Sequence, residues 1–588
     1  MKKSIILSCL MCMMAMCAKA QSNSVEDTRL YLILTHNRYA DVCEEFAEWK
    51  RTKGFKTFVV KKEVWSDAAV LNTINNFEME GDEVKYILFV GNDSILGHQV
   101  SYVFDGINWS FPSDYYFECK GDTANNAPSI RVGRIPVSTN ADASAVFNKI
   151  ISYEQTPTSS SSFYNTAICC GVFDARSPKI SAHGQEAGRA ILSSENIRNY
   201  LQSNYNKNVK RIYVKTTTRS DCPPSIWTYN NERLATGGNL PSALHDPNVW
   251  TSTYQNITDS INAGAFLMTY LGYGTSTNWS NREIAYQDDV VLYSKDYATG
   301  LTNNNKYPVL LALGGLSGKY YELTDCPAEF FLKKANAGAV AVIAPAYSTF
   351  KGYTEYLAEG FVNAVWPSPG INSLHPLSTP VYELGDIFAT SRDWMGYMYT
   401  YNVSTHQPDI RYREDTKYWQ YQRDNMHLFG DPSMMIYTAT PSQFTNVSVN
   451  IVGEDIVVNT GMSDTRITFY TPDPNGDVLV ESFVGSSATH WFDDNFESVI
   501  VCVDKHNYRP YTTEITWYDV YDLNRSNESA SSKLKKTRQE LLGHIEDETP
   551  SQISTNTAEG TYDLTGRRIE GEPKPGIYIR DGHVFIKK

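Results

Sequence analysis

Apolar runs of strand length, separated by amphipathic stretches, recur through most of the chain. They restrict it to a sheet with helices packed on its faces. "YLILT" at 31–35 is followed by "YADVCEEFAEWKRTKGFKTFVV", in which Val42, Phe46, Trp49 and Lys50 share a helical face, Gly54 supplies a stop and "KTFVV" reads as the next strand. "KYILFVGN" at 85–92 adds another strand. A second series starts at "NTAICCGVFD", passes a helix-like stretch near Gln185–Tyr200, and continues through "VKRIYV" at 209–214, "AFLMTYLG", "PVLLALGG" and "GAVAVIAP". These runs end near glycine, proline or a polar loop, the edge of an open α/β sheet where sites form. The spacing predicts two α/β units, 21–158 and 159–437.

After "LFGDPSMMIYT" the pattern changes to short strands and turns: "VSVNIV", "DIVVNT", "TRITFYT", the "PDPNGD" turn, "VLVESFV" and "SVIVCVD". Without a long helical pattern between them, they predict a small all-β sandwich over 438–522. Residues 523–558, rich in Ser, Asn, Lys, Glu and Thr, read as a flexible linker. The end of the chain, 559–588, reads as hairpin-like β segments that could serve as a terminal tag.

At the other end, "MKKSIILSCLMCMMAMCAKAQ" has a basic start, a short apolar stretch and Ala18-Lys19-Ala20 before Gln21, the pattern of a signal peptide spanning 1–20. Cys17 would permit a lipoprotein, but Met16 is bulky where a small residue normally precedes a lipidated cysteine. Export to the medium or the cell surface is expected, with the periplasm as the alternative. No later stretch is long and apolar enough to be a transmembrane helix. The formal charge of −14 becomes about −17 once Lys2, Lys3 and Lys19 are removed, which argues against nucleic acid as a partner. Seven cysteines follow the leader, at 43, 119, 169, 170, 222, 326 and 502. They are sparse for a chain long enough to build several cores without staples, and an exported chain allows one or two disulfides.

Individual chemical signals are weak. Cys169 and Cys170 lie inside an apolar run and read as buried small hydrophobes. No CxxC, HExxH or Walker-type loop is present, so nothing demands zinc or a nucleotide cofactor. Asp93, Asp114, Asp122 and Asp174 fall in loops and could hold calcium. Their alternative is to accept loop hydrogen bonds or to pair with Arg131 and Arg134. Cys326 lies where Thr324 or Asp325 could cap a helix with Pro327 in its first turn, which would favour a thiolate. The simpler reading buries Cys326 beneath the loop. A nucleophilic cysteine also needs a base, and His183, His245 and His375, its neighbours among the histidines, offer no ready dyad.

Over roughly residues 30–437 the chain resembles the gingipain-like cysteine peptidases, a caspase-like family of exported bacterial proteases. The resemblance rests on the order of several pieces: "YLILTHNRYADVCEEFAEWKRTKGFKTFVV", "KYILFVGND", "SDYYFECKGD", "PSIRVGRIPVSTNADASAVFNKIISYEQTP", "LMTYLGYGTSTNW", "LLALGGLSGKYYELTDCPAEFFLKKANAGAVAVIAPA" and "LFGDPSMMIY". It implies a caspase-like α/β catalytic-type domain of two subdomains, followed by an immunoglobulin-like sandwich and a short β segment similar to the C-terminal segments of exported Bacteroidetes proteins, some of them type IX sorting signals.

It also implies where catalysis would sit. The family places a Gly-His-Gly after text like "AFLMTYLGYG", and position 273 is here Tyr273. The family nucleophile, aligned through Leu316, Ser317 and Gly318, falls on Gly315. Cys326 matches a second, non-nucleophilic cysteine of these enzymes. Thiolate attack and imidazole proton transfer therefore lack their side chains, because glycine has nothing to attack with and tyrosine, with a reference pKa of about 10, is a feeble base near neutrality.

A pseudopeptidase is the resulting expectation, one whose cleft, formed by Gly272, Tyr273, Gly274, Trp279, Gly314, Gly315 and Gly318, binds a peptide or protein partner. Amides around Gly314–Gly318 could form a donor nest there. The rivals are an active cysteine-type endopeptidase using relocated residues such as Cys326 or Ser317, and a structural scaffold with an unused cleft.

Overall fold

The computed structural model describes residues 24–79, 81, 83–92, 97–173, 189–215, 241–244, 246–280, 291–350, 352–371, 379–405, 416–473, 476–523, 561–562, 576–580 and 583–587. Its contacts divide the chain into two compact units, with the boundary in the chain between Trp517 and Tyr518. Nearly all of the regular structure lies in the first.

The two series of strands expected to form separate units join in a single ten-stranded sheet. In spatial order its strands are Phe55–Lys61, Arg29–Thr35, Val84–Val90, Arg131–Ile135, Met426–Phe429, Ala341–Pro345, Val309–Ala312, Leu267–Leu271, Thr166–Phe173 and Asn208–Lys215. The first five run parallel, the last five run parallel, and the two sets oppose each other where Ala341–Pro345 meets Met426–Phe429. The joining strand is only four residues long and arrives from the far end of the α/β sequence. So short a run carries no periodicity, which is why the spacing suggested two units.

Burial on both faces explains why the strands read as continuous apolar runs. Along Arg29–Thr35, Leu30, Leu32 and Leu34 enter a smaller core with Trp65, Ile74 and Phe117. Tyr31 and Ile33 enter the main core with Phe46, Phe55 and Leu88. The first expected helix forms over Ala40–Thr52 with Val42, Phe46, Trp49 and Lys50 buried. It stops at Gly54, whose φ of +94° suits glycine. A Cβ there would also lie 2.4 Å from Thr468 Oγ1, so this glycine lets another sheet approach.

That sheet belongs to residues 448–516, which form a three-stranded sheet (Ser448–Val452, Asp455–Asn459, Ser487–Trp491) and a five-stranded one. The fifth strand of the latter is Ser24–Glu26, which pairs with Phe483–Gly485. Arg466 reaches Asp27 at 2.7 Å, and Lys53 forms a buried ion pair with Asp504. These contacts tie the β layers to the start of the chain. The second unit contains three antiparallel strands, Thr561–Tyr562, Gly576–Arg580 and His583–Lys587. Most of the expected linker lies outside the described residues. Among the described residues, no helix is long and apolar enough to cross a membrane.

One buried lysine, its ammonium pushed down to about 7 by burial, holds a helix end against the sheet. Lys149, on the helix Asn140–Gln155, donates from Nζ to the carbonyls of Leu332, Ala337 and Ala339 at 2.5, 3.0 and 2.9 Å. Those carbonyls lie at and beyond the end of the helix Pro327–Lys333, where intrahelical donors run out. Lys149→Met would leave them buried without this donor, and the expected loss is about 2 kcal/mol of stability. Urea unfolding at constant slope would register it as a lowered midpoint.

Candidate functional site

The strands Leu267–Leu271 and Val309–Ala312 are parallel neighbours, with Leu267 opposite Val309 and Tyr270 opposite Ala312. Their following loops therefore leave the same edge of the sheet, which brings Gly272–Gly274 and Gly314–Gly318 together. A Cβ built on Gly274 would lie 2.5 Å from the carbonyl oxygen of Gly315 and 2.7 Å from Ser317 Oγ. One built on Gly314 would lie 3.1 Å from the carbonyl carbon of Tyr273. Bare backbone is required at both of these positions. At Gly315 it is not: the nearest atoms to a Cβ, in Ser348 and Thr349, stand at 3.3–3.5 Å.

The turn between strand and helix is strained. Leu316 has a φ of +64°, a region that a branched side chain seldom occupies. Its amide donates to the Tyr347 carbonyl at 3.1 Å, that of Ser317 to Gly314 at 3.2 Å and that of Gly318 to Pro345 at 2.8 Å. The expected donor nest is reduced accordingly, since these three amides are committed within the turn and to the neighbouring strand.

The expected cleft divides into a surface and a foundation. Gly272, Tyr273, Gly274, Gly315 and Leu316 are partly exposed, whereas Gly314, Ser317, Gly318 and Trp279 are buried. Trp279 is thus not a cleft wall. Its ring stacks on Tyr270 at 4.1 Å, and its Nε1 donates to Ser317 Oγ at 3.2 Å. The indole lies under the turn because Asn278–Ser280 folds back as a strand against Tyr273–Gly274. Tyr270 supports the same loop, donating from its hydroxyl to the Tyr273 carbonyl at 2.6 Å.

A third wall was missed in the sequence. Tyr347, Ser348 and Thr349 follow the strand Ala341–Pro345 at this same edge and face Gly315. Asn425 holds this loop, accepting from the Tyr347 amide at 2.6 Å and donating from Nδ2 to the Ser348 carbonyl at 2.8 Å. Tyr421 also donates to that carbonyl, and Tyr321 donates to the Ala346 carbonyl at 3.2 Å. The run "GAVAVIAP" pointed to the wall, since loops after parallel strands gather at one edge. Two of its clamps, Tyr421 and Asn425, come from a distant helix, Thr416–Asn425, and had no local signal.

Cys326 takes the structural role. It is fully buried at the start of the helix Pro327–Lys333, where its amide donates to Glu329 Oε2 at 3.0 Å. Burial, reinforced by the Glu329 carboxylate, pushes its thiol well above the usual range, the opposite of an activated nucleophile. The other described cysteines, Cys43, Cys119, Cys169, Cys170 and Cys502, are likewise buried free thiols. Burial raises Cys43, Cys169 and Cys502 to about 12. Cys222, His183, His245 and His375 lie outside the described residues.

Asp114 and Asp122 both have protein partners. Asp114 is buried in a fork with Arg134, whose Nη2 donates to Oδ1 at 2.5 Å and whose Nε donates to Oδ2 at 3.1 Å. His427 Nδ1 lies 3.0 Å from the same Oδ2, while its Nε2 lies 3.0 Å from the Pro112 carbonyl. Asp122 accepts from the Ala124 and Asn125 amides, each at 3.1 Å, in an exposed turn. Among the described residues, no group of three or more histidine, cysteine, aspartate or glutamate side chains is arranged to hold a metal ion. Asp93 and Asp174 lie outside the described residues.

The model of peptidase family C25 matches residues 24–437, the whole stretch that builds this sheet and its edge. The chain belongs to peptidase family C25. Among curated relatives it is 22% identical over 426 residues to gingipain R2 of Porphyromonas gingivalis, covering 70% of this chain and 46% of that protein. It is also 22% identical over 444 residues to gingipain R1 of the same organism, covering 71% of this chain and 36% of that one. The C25 chain thus spans less than half the length of these relatives.

Its fold is that of a crystal structure of the Arg-specific cysteine proteinase gingipain R, with a TM-score of 0.60 at 18% identity, over 83% of this chain and 98% of that one. The complex of the RgpB pro- and mature domains of Porphyromonas gingivalis gives the same score and identity over 83% and 99%. The caspase-like, gingipain-type architecture implied by the sequence is therefore present.

Proposed function

We propose that this C25 chain is an exported pseudopeptidase that holds a peptide or protein segment at the Tyr273–Gly315 edge without cutting it. The observation that carries this reading is the meeting of Tyr273 and Gly315 at the end of two adjacent parallel strands, where the family resemblance puts a histidine and a cysteine. Among the described residues the edge carries neither a reactive thiol nor a free imidazole; such a site retains a shaped edge and exposed backbone, which can align a segment, but lacks a nucleophile and a proton carrier. Neither relocated candidate has favourable surroundings: Cys326 is buried with a raised pKa, and Ser317 is buried with its hydroxyl engaged by Trp279. The described histidines 36, 98, 427 and 490 each have an acidic neighbour, at Glu63, Asp67, Asp114 and Glu481 respectively, and His506 meets Thr438.

The signal-like leader and the membership of C25 support export, to the medium or surface or alternatively to the periplasm. The two β sheets of residues 448–516 support an immunoglobulin-like module, and the match to gingipain R extends over more of the chain than residues 24–437. The C-terminal strands fit a short tag, with type IX sorting as its role.

Peptidyl chloromethyl ketone and epoxide probes test the reading on the purified mature protein. Intact-mass measurement is expected to show no adduct and peptide assays no turnover, with calcium present. Labelling at Cys326 that disappears in Cys326→Ala, together with turnover, would instead establish an active enzyme with a relocated nucleophile. Failure of peptides to bind at all, or binding indifferent to Tyr273→Ala, would leave the scaffold reading.

A further inference from the structure

A second concave site lies away from the Tyr273–Gly315 edge, where the β layers meet the start of the chain. It encloses about 530 Å³, within the range of ligand pockets. Four carboxylates line it, Glu26, Glu83, Glu481 and Asp493, against one lysine, Lys56, and one histidine, His490, which lies 3.0 Å from Glu481. Glu481 is held below the usual carboxylate range by its hydrogen bond from His490, so it is a firm anion near neutrality. Two apolar side chains break the surface inside this acidic rim: Leu479, 38% exposed, and Trp491, 55% exposed. The Trp491 indole is held in place by donating from Nε1 to Glu454 Oε2 at 3.1 Å. Its ring is therefore presented to solvent by a hydrogen bond of its own.

The groove also offers backbone. Strand Ser24–Glu26 covers the outer side of Phe483–Gly485 only, and Asp27 and Thr28 contact Ser482. Among the described residues, no strand pairs on that side of Val478–Glu481, although the ladder to Thr465–Pro472 continues on the other side. An extended segment entering the groove would continue the line of Ser24–Glu26. Edge addition supplies affinity from main-chain hydrogen bonds and leaves specificity to the side chains it meets.

We propose that this groove binds an extended basic peptide, with lysine or arginine side chains laid along Leu479 and Trp491 and their charged ends among the carboxylates. Long basic side chains fit both parts of the surface, since their stems cover apolar area while their heads pair with anions or stack on an indole. The excess of acidic groups selects against acidic segments, and nothing in the groove requires a metal. This site is separate from the C25 cleft and does not depend on how that cleft is used.

The test is fluorescence anisotropy of a short labelled peptide of alternating lysine and valine, titrated with the mature protein, beside the same peptide with glutamate for lysine. The lysine peptide is expected to bind, more weakly as salt rises, and the glutamate peptide is not. Trp491→Ala should weaken binding by about tenfold through loss of the ring contact, as should Glu481→Gln combined with Asp493→Asn. Tyr273→Ala should leave it intact, which separates this groove from the cleft. Both sets of groove changes lie on exposed or rim positions, and thermal melting verifies their folding. Equal binding of the two peptides, indifference to the groove variants, loss in Tyr273→Ala, or displacement by a neutral oligosaccharide would overturn the proposal.

Discussion

Installing Tyr273→His together with Gly315→Cys is expected to turn an unreactive edge into one that chloromethyl ketones alkylate. Gly315→Cys alone should be tolerated, because its Cβ would stand 3.3–3.5 Å from the Ser348–Thr349 backbone and hydroxyl and needs only small adjustments, at a cost of about 1 kcal/mol. Its thiol would then sit on a partly exposed turn without the imidazole that the family resemblance puts at position 273. Adding Tyr273→His supplies an imidazole from the adjacent loop, and general-base assistance is worth about a hundredfold or more. Time courses of intact mass for the single and double variants measure that ratio. A ratio near one would mean that positions 273 and 315 do not reach each other, and the assignment of the family's catalytic positions would fall with it.

The second large effect concerns stability at the seam of the sheet. Asp114→Asn should lower unfolding stability near neutrality by about 3–5 kcal/mol, the range for removing one partner of a buried ion pair. Arg134 is fully buried between Asp114 and the Tyr320 ring, 4.3 Å from its centroid, and would keep its charge without its carboxylate. His427 would lose the same anion. The cluster joins the strand Arg131–Ile135 to Met426–Phe429, where Phe429 pairs with Arg134, so its loss loosens the hold of the first parallel set on the strand that meets the second.

The pH dependence has a definite sign. Burial alone would raise the Asp114 carboxyl, but the Arg134 guanidinium and then His427 outweigh it and hold the group well below the usual range. A depressed carboxylate stabilises the fold above its unfolded value, about 4, and loses that contribution as pH falls toward the folded value. The gap between the original protein and Asp114→Asn should therefore narrow in acid. Denaturant midpoints at neutral and acidic pH measure it, and a gap that widens in acid would contradict the account.

Eight of the ten strands of the large sheet were legible as apolar runs because burial on both faces forces them. Val42, Phe46, Trp49 and Lys50 marked a helix for the same reason, since one face had to meet the core. Gly54 announced its own turn through a backbone that only glycine adopts cheaply. Tyr273 and Gly315 could be placed at the sheet edge because each follows an apolar strand, Leu267–Leu271 and Val309–Ala312.

What tertiary structure decided lies in pairings between distant segments. The four residues Met426–Phe429 carry too little pattern to reveal that they weld two half-sheets into one. Ser24–Glu26 gives no sign that it completes a sheet formed some 450 residues later. Trp279 looked like a cleft residue because a tryptophan in a polar loop suggests a contact surface, yet the loop folds back and buries it against Tyr270. Sequence determines where a chain must bury apolar surface and where its backbone must turn, because those demands are local. Which distant segments meet, and hence whether a carboxylate such as Asp114 finds a cation or a solvent-facing loop, depends on the closing of the whole sheet.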